Sequence, residues 1–254
     1  MNVLFLIFSF ILGTVIGSFL NVVIFRYNTG LTVRGRSKCF SCNNTLSWYE
    51  LVPIFSFLIQ TGKCRNCKSR ISWQYPLVEI CSGILFMLIF YYFPPVSLQA
   101  SFLTFFYLFI TSILIVITVY DIRHKVIPDT LSYSFSAIAF VKLFISPELT
   151  FILPSLSSIF AGPIMALPFF LLWLFSKGSW MGLGDAKLVL GIGWILGIFS
   201  AISAVILAFW IGAIVSVLWM FIVFRKFKSR YEIPFGPYLI LGMYLVLLFN
   251  IHVI

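Results

Sequence analysis

The chain has 254 residues, of which 61% are hydrophobic, 19% aromatic and 9% charged, and its formal net charge is +10. Soluble domains carry about a quarter charged residues, so this composition and a mean hydropathy of +1.10 exclude a single-core soluble fold. Membrane β-barrels are also excluded, because their strands alternate apolar and polar residues and the apolar runs here are continuous. The sequence therefore predicts an all-α polytopic membrane protein.

Continuous apolar runs predict about eight transmembrane helices, since a spanning helix needs about 20 apolar residues. The fourth and sixth are short, and "GIFS" at 197–200 predicts a tight turn. The first segment has no positively charged start and no cleavage site, so we interpret it as a mature helix rather than a signal peptide. The predicted segments are 2–25, 76–93, 100–120, 131–146, 152–176, 185–199, 201–224 and 235–254.

Sixteen of the 17 lysines and arginines lie on one side of the membrane if eight helices alternate in direction. Because basic residues concentrate in cytoplasmic loops, we expect this side to be cytoplasmic and both termini to lie outside. Contact with anionic lipid then accounts for the net charge, and no nucleic-acid partner is needed. The sixteen are Arg26, Arg34, Arg36, Lys38, Lys63, Arg65, Lys68, Arg70, Arg123, Lys125, Lys177, Lys187, Arg225, Lys226, Lys228 and Arg230.

The loop of residues 26–75, called the cysteine loop below, contains "CFSC" and "CRNC" separated by 21 residues. This spacing is close to that of zinc ribbons and knuckles. Cytoplasmic thiols stay reduced, so we expect Cys39, Cys42, Cys64 and Cys67 to bind one Zn²⁺ rather than to form disulfides. Four thiolates leave no position for water, so the metal is predicted to stabilise a loop too small to build its own core.

Two glutamates and a fifth cysteine lie in or beside the cysteine loop. The stretch "WYELVPIFSFL" is too short to span a membrane and is predicted to lie along its surface, with Glu50 as a surface or functional carboxylate. Glu79 lies about one turn into the second helix, where it either pairs with an arginine of the loop or has a function. Cys81 is interpreted as a small buried residue of that helix.

All three aspartates map to the predicted cytoplasmic boundary of the membrane. Asp121 ends the third helix and Asp185 opens the sixth, whereas Asp129 is expected to be the N-cap of the fourth. Two nearby carboxylates cannot both ionise cheaply, so they share a proton. One can take a proton from an attacking water while the other donates to a peptide carbonyl oxygen. This chemistry needs neither a metal nor a covalent intermediate.

The positions of the two aspartates in their helices predict different charges. Negative charge is disfavoured near a helix C-terminus and favoured near an N-terminus, so we expect Asp121 to hold the shared proton and Asp185 to be ionised. In "GLGD", Gly182 and Gly184 would let the backbone turn sharply and approach an extended peptide substrate. Alternatively, these glycines only allow close packing of helices.

The order of several segments resembles that of one enzyme family. These segments are "GSFLNVVIFR", "CFSC", "WYELVPIFSFL", "TGKCRNCKSRISWQYPLVE", "DIRHKVIPD", "MGLGDAKL" and "IPFGP". Together they are similar to the bacterial prepilin peptidases, the type IV leader peptidases of pilus and type II secretion systems. The resemblance covers nearly the whole chain.

This resemblance implies an aspartic peptidase of the inner membrane. Such an enzyme removes the short basic leader of prepilins and pseudopilins after a glycine, at the cytoplasmic face. It implies Asp121 and Asp185 as catalytic residues and the four loop cysteines as metal ligands. Residues 1–25 would form the first transmembrane helix, 26–75 a cytoplasmic tetracysteine domain, and 76–254 a seven-helix membrane peptidase domain.

Many members of the family also methylate the new N-terminal amine with S-adenosylmethionine. The sequence has no Gly-rich nucleotide loop on a βαβ unit, so this activity is expected from the resemblance alone. The cysteine loop is its expected site, with Arg26 and Arg70 as contacts to the methyl donor and Glu50 and Glu79 as contacts to substrate. Arg123 stands where many members have an acidic residue, and we expect activity to survive this difference.

Three other functions fit parts of the sequence. A presenilin-like intramembrane protease matches "YD" at 120–121 and "GLGD", but such proteins lack a tetracysteine loop and have Pro-Ala-Leu where this chain has "PFGP". A non-enzymatic adaptor could recruit cytoplasmic partners through the zinc loop. A transporter could use the two aspartates as a proton relay, although transporter carboxylates usually lie near the bilayer midplane.

Overall fold

The computed structural model describes residues 3–30, 32, 35–146, 148–224 and 233–253. Helices form the regular secondary structure of these residues, with isolated β-bridges in the loops. Arg34 and the basic cluster of Arg225, Lys226, Lys228 and Arg230 lie outside the described residues. The helices are α1 (Val3–Arg26), α2 (Phe55–Ile59), α3 (Gln74–Tyr92), α4 (Leu98–His124), α5 (Asp129–Lys142), α6 (Leu156–Ser176), α7 (Leu183–Leu196), α8 (Ile198–Trp219) and α9 (Gly236–Phe249).

Every one of the eight predicted segments contains a helix, so the predicted all-α fold is confirmed. Among the described residues, five helices are long and apolar enough to cross a membrane, namely α1, α3, α4, α6 and α8. Helices α5, α7 and α9 have 14 residues each. At about 1.5 Å per residue they are about 21 Å long, shorter than a hydrocarbon core of about 30 Å. Five of the eight predicted spans are therefore long enough to cross a membrane in the described part of the chain, and the count of eight is not confirmed.

The chain divides into two compact units, Met1–Val116 and Ile117–Ile254. In the first unit, α1 and α3 pack through small residues. A Cβ on Gly13 would lie 2.8 Å from the Cα of Gly83, and one on Gly17 would lie 2.9 Å from the Cα of Glu79. Such close approach of two backbones is typical of packed membrane helices. It brings the end of α1 beside the start of α3, where Asn21 Nδ2 donates to the Tyr75 carbonyl at 3.2 Å.

In the second unit, α7 contacts α5, α6, α8 and α9. Its Leu188, Val189 and Ile192 side chains are fully buried. A Cβ on Gly193 would lie 2.8 Å from the Ala161 carbonyl oxygen of α6, so these two helices also touch through their backbones. The apolar sequence of this short helix thus reflects burial among other helices. Its last residue is followed by Gly197, whose φ of +77° forms the whole turn into α8.

Two predictions about single residues are wrong. Asp129 is the first residue of α5, the N-cap is Pro128, and the Asp129 side chain makes no cap hydrogen bond. Its carboxylate instead accepts from Lys187, which a sequence argument restricted to one helix cannot anticipate. Cys81 is exposed on α3 rather than buried, because the small residues Ser82 and Gly83 occupy the face that packs against α1.

Candidate active site

Asp121 lies in the last turn of α4 and is 4% exposed. The helix continues for three residues beyond it, and the Lys125 N–H closes the final turn by donating to the Asp121 carbonyl at 2.7 Å. The side chain turns toward the start of α9, where the Gly236 N–H donates to Asp121 Oδ2 at 3.1 Å. This hydrogen bond uses one of the acceptor sites of the carboxylate and leaves others for a proton or a water.

Asp185 is the third residue of α7 and is 8% exposed. The residue at this position of a helix commonly folds back on the N-cap, and here the Gly182 amide lies near the Asp185 carboxylate. The carboxylate also interacts electrostatically with Asp121. The structure therefore brings together the two aspartates that the sequence predicted to be partners.

Ile127 lies between the segments that carry the pair. A Cβ on Gly184 would lie 2.7 Å from Ile127 Cβ, and one on Gly236 would lie 3.2 Å from Ile127 Cδ1. The start of α7, the start of α9 and the chain after α4 therefore meet at this buried side chain. Neither Ile127 nor Gly236 was assigned a role from sequence, although both lie beside proline in "VIPD" and "PFGP", where the backbone is restricted.

The two glycines of "GLGD" have different surroundings. Gly184 fits the close-packing alternative, because Ile127 fills the space where its side chain would be. Gly182 is exposed, and a Cβ there would meet nothing closer than Asp185 Oδ2 at 3.5 Å. Gly182 has an extended backbone with a φ of −75°, which any residue can adopt. The sharp turn expected at this glycine is therefore absent. What Gly182 provides is an unobstructed approach to the Asp185 carboxylate.

A salt bridge lies next to the pair. Lys187 Nζ is 2.7 Å from Asp129 Oδ1, and the side chain of Lys187 is 12% exposed whereas that of Asp129 is 67% exposed. The ammonium also lies 4.6 Å from the centre of the Tyr133 ring. These contacts connect α5 to α7 two residues after Asp185. Asp129 is thereby engaged by a cation.

Both C-x2-C motifs of the cysteine loop fold as the same tight turn. In the first, the Cys39 N–H donates to the Asn44 carbonyl at 2.9 Å, and in the second the Cys64 N–H donates to the Ser69 carbonyl at 2.9 Å. The residue after each second cysteine is left-handed, with φ of 55° at Asn43 and 59° at Lys68. The loop therefore presents its four thiols from two matching knuckles.

The geometry of the four thiols fits a zinc ion. Their Sγ atoms all lie within 4.8 Å of one another, and those of Cys39 and Cys67 are 3.8 Å apart. Tetrahedral Zn²⁺ with bonds of about 2.3 Å places its sulfurs about 3.8 Å apart. The N–H of Cys42 is the main cause that lowers the pKa of the Cys39 thiol to about 6, which favours the thiolate that binds metal.

The other predicted contacts in this unit are engaged by the loop itself. Arg26 Nη1 donates to the Thr32 carbonyl at 2.8 Å, and Arg70 is exposed. Glu50 closes a capping box by accepting from the Ser47 N–H at 2.8 Å. These contacts of Arg26 and Glu50 stabilise the fold of the loop.

Glu79 is buried at the start of α3 and holds a strained turn of the loop. Its Oε2 accepts from the Ile54 N–H at 2.7 Å, and the Ser18 hydroxyl also bonds to it. Ile54 has φ 62° and ψ −54°, which is strained for a β-branched residue, and the Phe55 N–H donates across it to Pro53. The partners of Glu79 are thus an amide and a hydroxyl rather than the arginine considered from sequence.

Comparison with known proteins agrees with this arrangement. The family described as "Bacterial Peptidase A24 N-terminal domain" matches residues 11–93, and the "Type IV leader peptidase family" matches residues 108–217. The prepilin leader peptidase/N-methyltransferase of Vibrio cholerae is 31% identical over 97% of both chains. The protein of the same name from Bacillus subtilis is 32% identical over 96% of this chain and 94% of its own.

The cysteine loop falls within the first matched region, and both aspartates of the pair fall within the second. No solved structure matches the chain significantly. The apolar helices agree with the family's membrane location, so the protein is a multi-pass membrane enzyme. Similarity over nearly the full chain favours this family over the presenilin-like and transporter alternatives. The chain therefore belongs to the type IV leader peptidase family.

Proposed function

We propose that this protein removes the leader peptide of type IV prepilins and pseudopilins by a water attack that Asp121 and Asp185 activate. The main support is the meeting of two buried carboxylates, from separate helices, at one junction. Burying two acids together is expensive unless they share a proton. Such a pair is the usual way to activate water at a peptide bond without a metal.

The proposed reaction uses one carboxylate of the pair as a base and the other as an acid. A water held between the carboxylates loses a proton to the ionised one as its oxygen attacks the carbonyl carbon of the scissile bond. The protonated carboxyl donates to the carbonyl oxygen, giving a tetrahedral gem-diol. Collapse of this species breaks the C–N bond. The amine leaves with the proton that was taken from water, and one hydroxyl of the gem-diol returns its proton to the other carboxylate, so a carboxylic acid product forms and the pair is again singly protonated.

The order of protonation stays open to experiment. The argument from helix ends favours Asp185 as the base. Asp121, however, also accepts a hydrogen bond from the Gly236 N–H, which stabilises a negative charge on this carboxylate. The helix ends alone therefore do not distinguish the acid from the base.

The substrate approaches past Gly182 in this proposal. An extended leader needs partners for its own backbone groups, and an exposed glycine allows another backbone to come close. Glycine at position 182 also places no side chain in front of the Asp185 carboxylate. Arg123, Lys125 and Lys187 are close in sequence to the two aspartates, and the positive-inside rule places basic residues on the cytoplasmic side of the inner membrane. We therefore propose that the leader is removed on that side.

A second activity, N-methylation of the new pilin N-terminus with S-adenosylmethionine, is part of the proposal. It is supported by the two relatives named above, which are called prepilin leader peptidase/N-methyltransferase and are similar to this chain over almost their full length. Arg26 and Arg70 of the cysteine loop are the proposed contacts to the methyl donor, and Glu50 and Glu79 are the proposed contacts to the substrate. In the same unit, Zn²⁺ bound to the four cysteines would supply a rigid cross-link and no chemistry.

The mass of a co-expressed prepilin tests the proposal. With the wild-type chain, the pilin should lose its leader and gain one methyl group, and with Asp185→Asn it should keep the full leader. Asp129→Asn is the matched control, because its carboxylate pairs with Lys187 and is predicted to be dispensable for cleavage. Full cleavage with Asp185→Asn would contradict the peptidase mechanism. A zinc-loop adaptor would tolerate this change and fail with Cys64→Ser instead.

A further inference from the structure

A pocket of about 230 Å³ opens beside the second cysteine knuckle. Three cationic side chains line it, and the described lining residues include no carboxylate. None of the three cations forms a salt bridge with a carboxylate among the described residues. The lining consists of Ile59, Gln60, Thr61, Lys63, Cys64, Arg65 and Lys68.

The backbone of the knuckle fixes the spacing of these cations. Lys63 pairs with Arg70 in a β-bridge, and the Lys68 N–H donates to the Cys64 carbonyl at 3.0 Å. The guanidinium of Arg65 lies 5.2 Å from the centre of the Tyr49 ring, which holds its stem against the loop. Zn²⁺ with four thiolates has a net negative charge and would offset part of these three positive charges, because its ligand Cys64 also lines the pocket. The remaining positive charge favours an anion beside the three side chains.

One rim of the pocket is apolar and exposed. Leu58 and Ile59 of α2 are 62% and 75% exposed, although both are large aliphatic residues. On its other face, α2 packs Phe57 against Trp73, the residue before α3, with ring centres 4.9 Å apart. The end of α1 lies beside the start of α3, and the Phe57–Trp73 contact joins α2 to that same end of the two apolar helices.

We infer that this pocket binds the phosphate of an anionic lipid headgroup. The three cations match a phosphodiester, and the adjacent aliphatic side chains would contact the acyl chains below it. A soluble anion has no use for the apolar rim. S-adenosylmethionine is an unsuitable occupant because it carries a net positive charge, and a basic leader peptide is repelled for the same reason. The inference is independent of the peptidase proposal.

Lipid binding to the full-length protein in neutral detergent tests the inference. Native mass spectrometry would compare short-chain phosphatidylglycerol with phosphatidylcholine of the same acyl chains. A basic residue near a membrane surface contributes about 1 kcal/mol to anionic lipid binding, so Lys63→Gln combined with Lys68→Gln should weaken phosphatidylglycerol binding about 30-fold. Phosphatidylcholine binding should not change.

The first knuckle provides the matched control. Arg36→Gln combined with Lys38→Gln removes the same charge from the same loop, and Lys38 occupies the position of Lys63 in its own β-bridge. This control should keep wild-type affinity. If the test variant loses zinc or thermal stability, Lys68→Gln alone should still weaken binding about 5-fold.

Three outcomes would overturn the inference. The control variant could lose as much affinity as the test variant, which would indicate general attraction by net charge. Phosphatidylcholine could bind as tightly as phosphatidylglycerol. Finally, inorganic phosphate could displace phosphatidylglycerol at equal concentration, which would assign the pocket to a soluble anion.

Discussion

Replacement of Gly236 by alanine should disable the active site without unfolding the protein. The added Cβ would lie 2.7 Å from Asp121 Oδ2 and 3.2 Å from Ile127 Cδ1. Asp121 would have to move its carboxylate by about 0.7 Å to restore an ordinary contact of 3.4 Å. This movement would also break the hydrogen bond that Oδ2 accepts from the Gly236 N–H.

The expected loss of activity follows from this displacement. A misplacement of about 1 Å can lower a catalysed rate about 100-fold, so we expect kcat for leader removal to fall about 10- to 100-fold. Binding of the prepilin should change little, because the leader does not need the position of Asp121. The assay is leader cleavage by purified protein in detergent, with kcat and KM measured separately.

A second glycine of the same helix provides the control. A Cβ on Gly242 would collide with the backbone of Ala204 in α8, so Gly242→Ala should lower the melting temperature. Gly236→Ala should instead keep the melting temperature close to wild type and lose activity. Wild-type kcat in Gly236→Ala would refute the claim that Oδ2 of Asp121 is held in a working position by α9.

Other predictions concern the first unit. Cys64→Ser should lower bound zinc from one ion per chain toward none, as measured by elemental analysis, because a buried ligand of a four-thiolate site is lost; retention of one ion would contradict the site. In metal-free protein, alkylation of Cys39 should reach half its maximal rate near pH 6, since the Cys42 N–H lowers the pKa of this thiol to about 6. Below that pH the thiol is protonated and unreactive. Half-maximal alkylation near pH 9 would argue against the folded knuckle. Glu79→Ala should destabilise the loop by about 1–3 kcal/mol, because it leaves the Ile54 N–H without its acceptor. Glu79→Gln should retain the acceptor and the stability of the loop. Limited proteolysis of the loop would distinguish the two variants.

The helices and the cluster of four cysteines were predictable because their signals are local. Apolar runs identify a helix wherever it lies, and two C-x2-C motifs place four thiols on two turns. The burial and the length of a helix, however, depend on the helices that surround it. This dependence explains why three of the eight predicted spans are short helices. The run that becomes α7 reads as a short span, but in the folded protein it is a 14-residue helix packed among four others.

The contacts that complete the candidate site were not predictable from these signals. Asp121 and Asp185 could be matched because both fall at the same predicted depth. The Gly236 N–H reaches Asp121 across 115 residues of sequence, and no local pattern reports such a contact. Similarly, Glu79 was recognised as an unusual carboxylate, but its partner Ile54 is defined by a strained backbone that only the folded loop reveals.

The central claim is that Asp121 and Asp185 act as one catalytic pair. Single-turnover leader removal by purified Asp121→Asn and Asp185→Asn, each with wild-type melting temperature, tests it most directly. Asparagine keeps the size of the side chain and removes the proton transfer, which typically contributes a factor of about 100–10,000. We predict that both variants lose at least this factor and that the Asp129→Asn control cleaves at the wild-type rate. A wild-type rate in either pair variant would contradict the account.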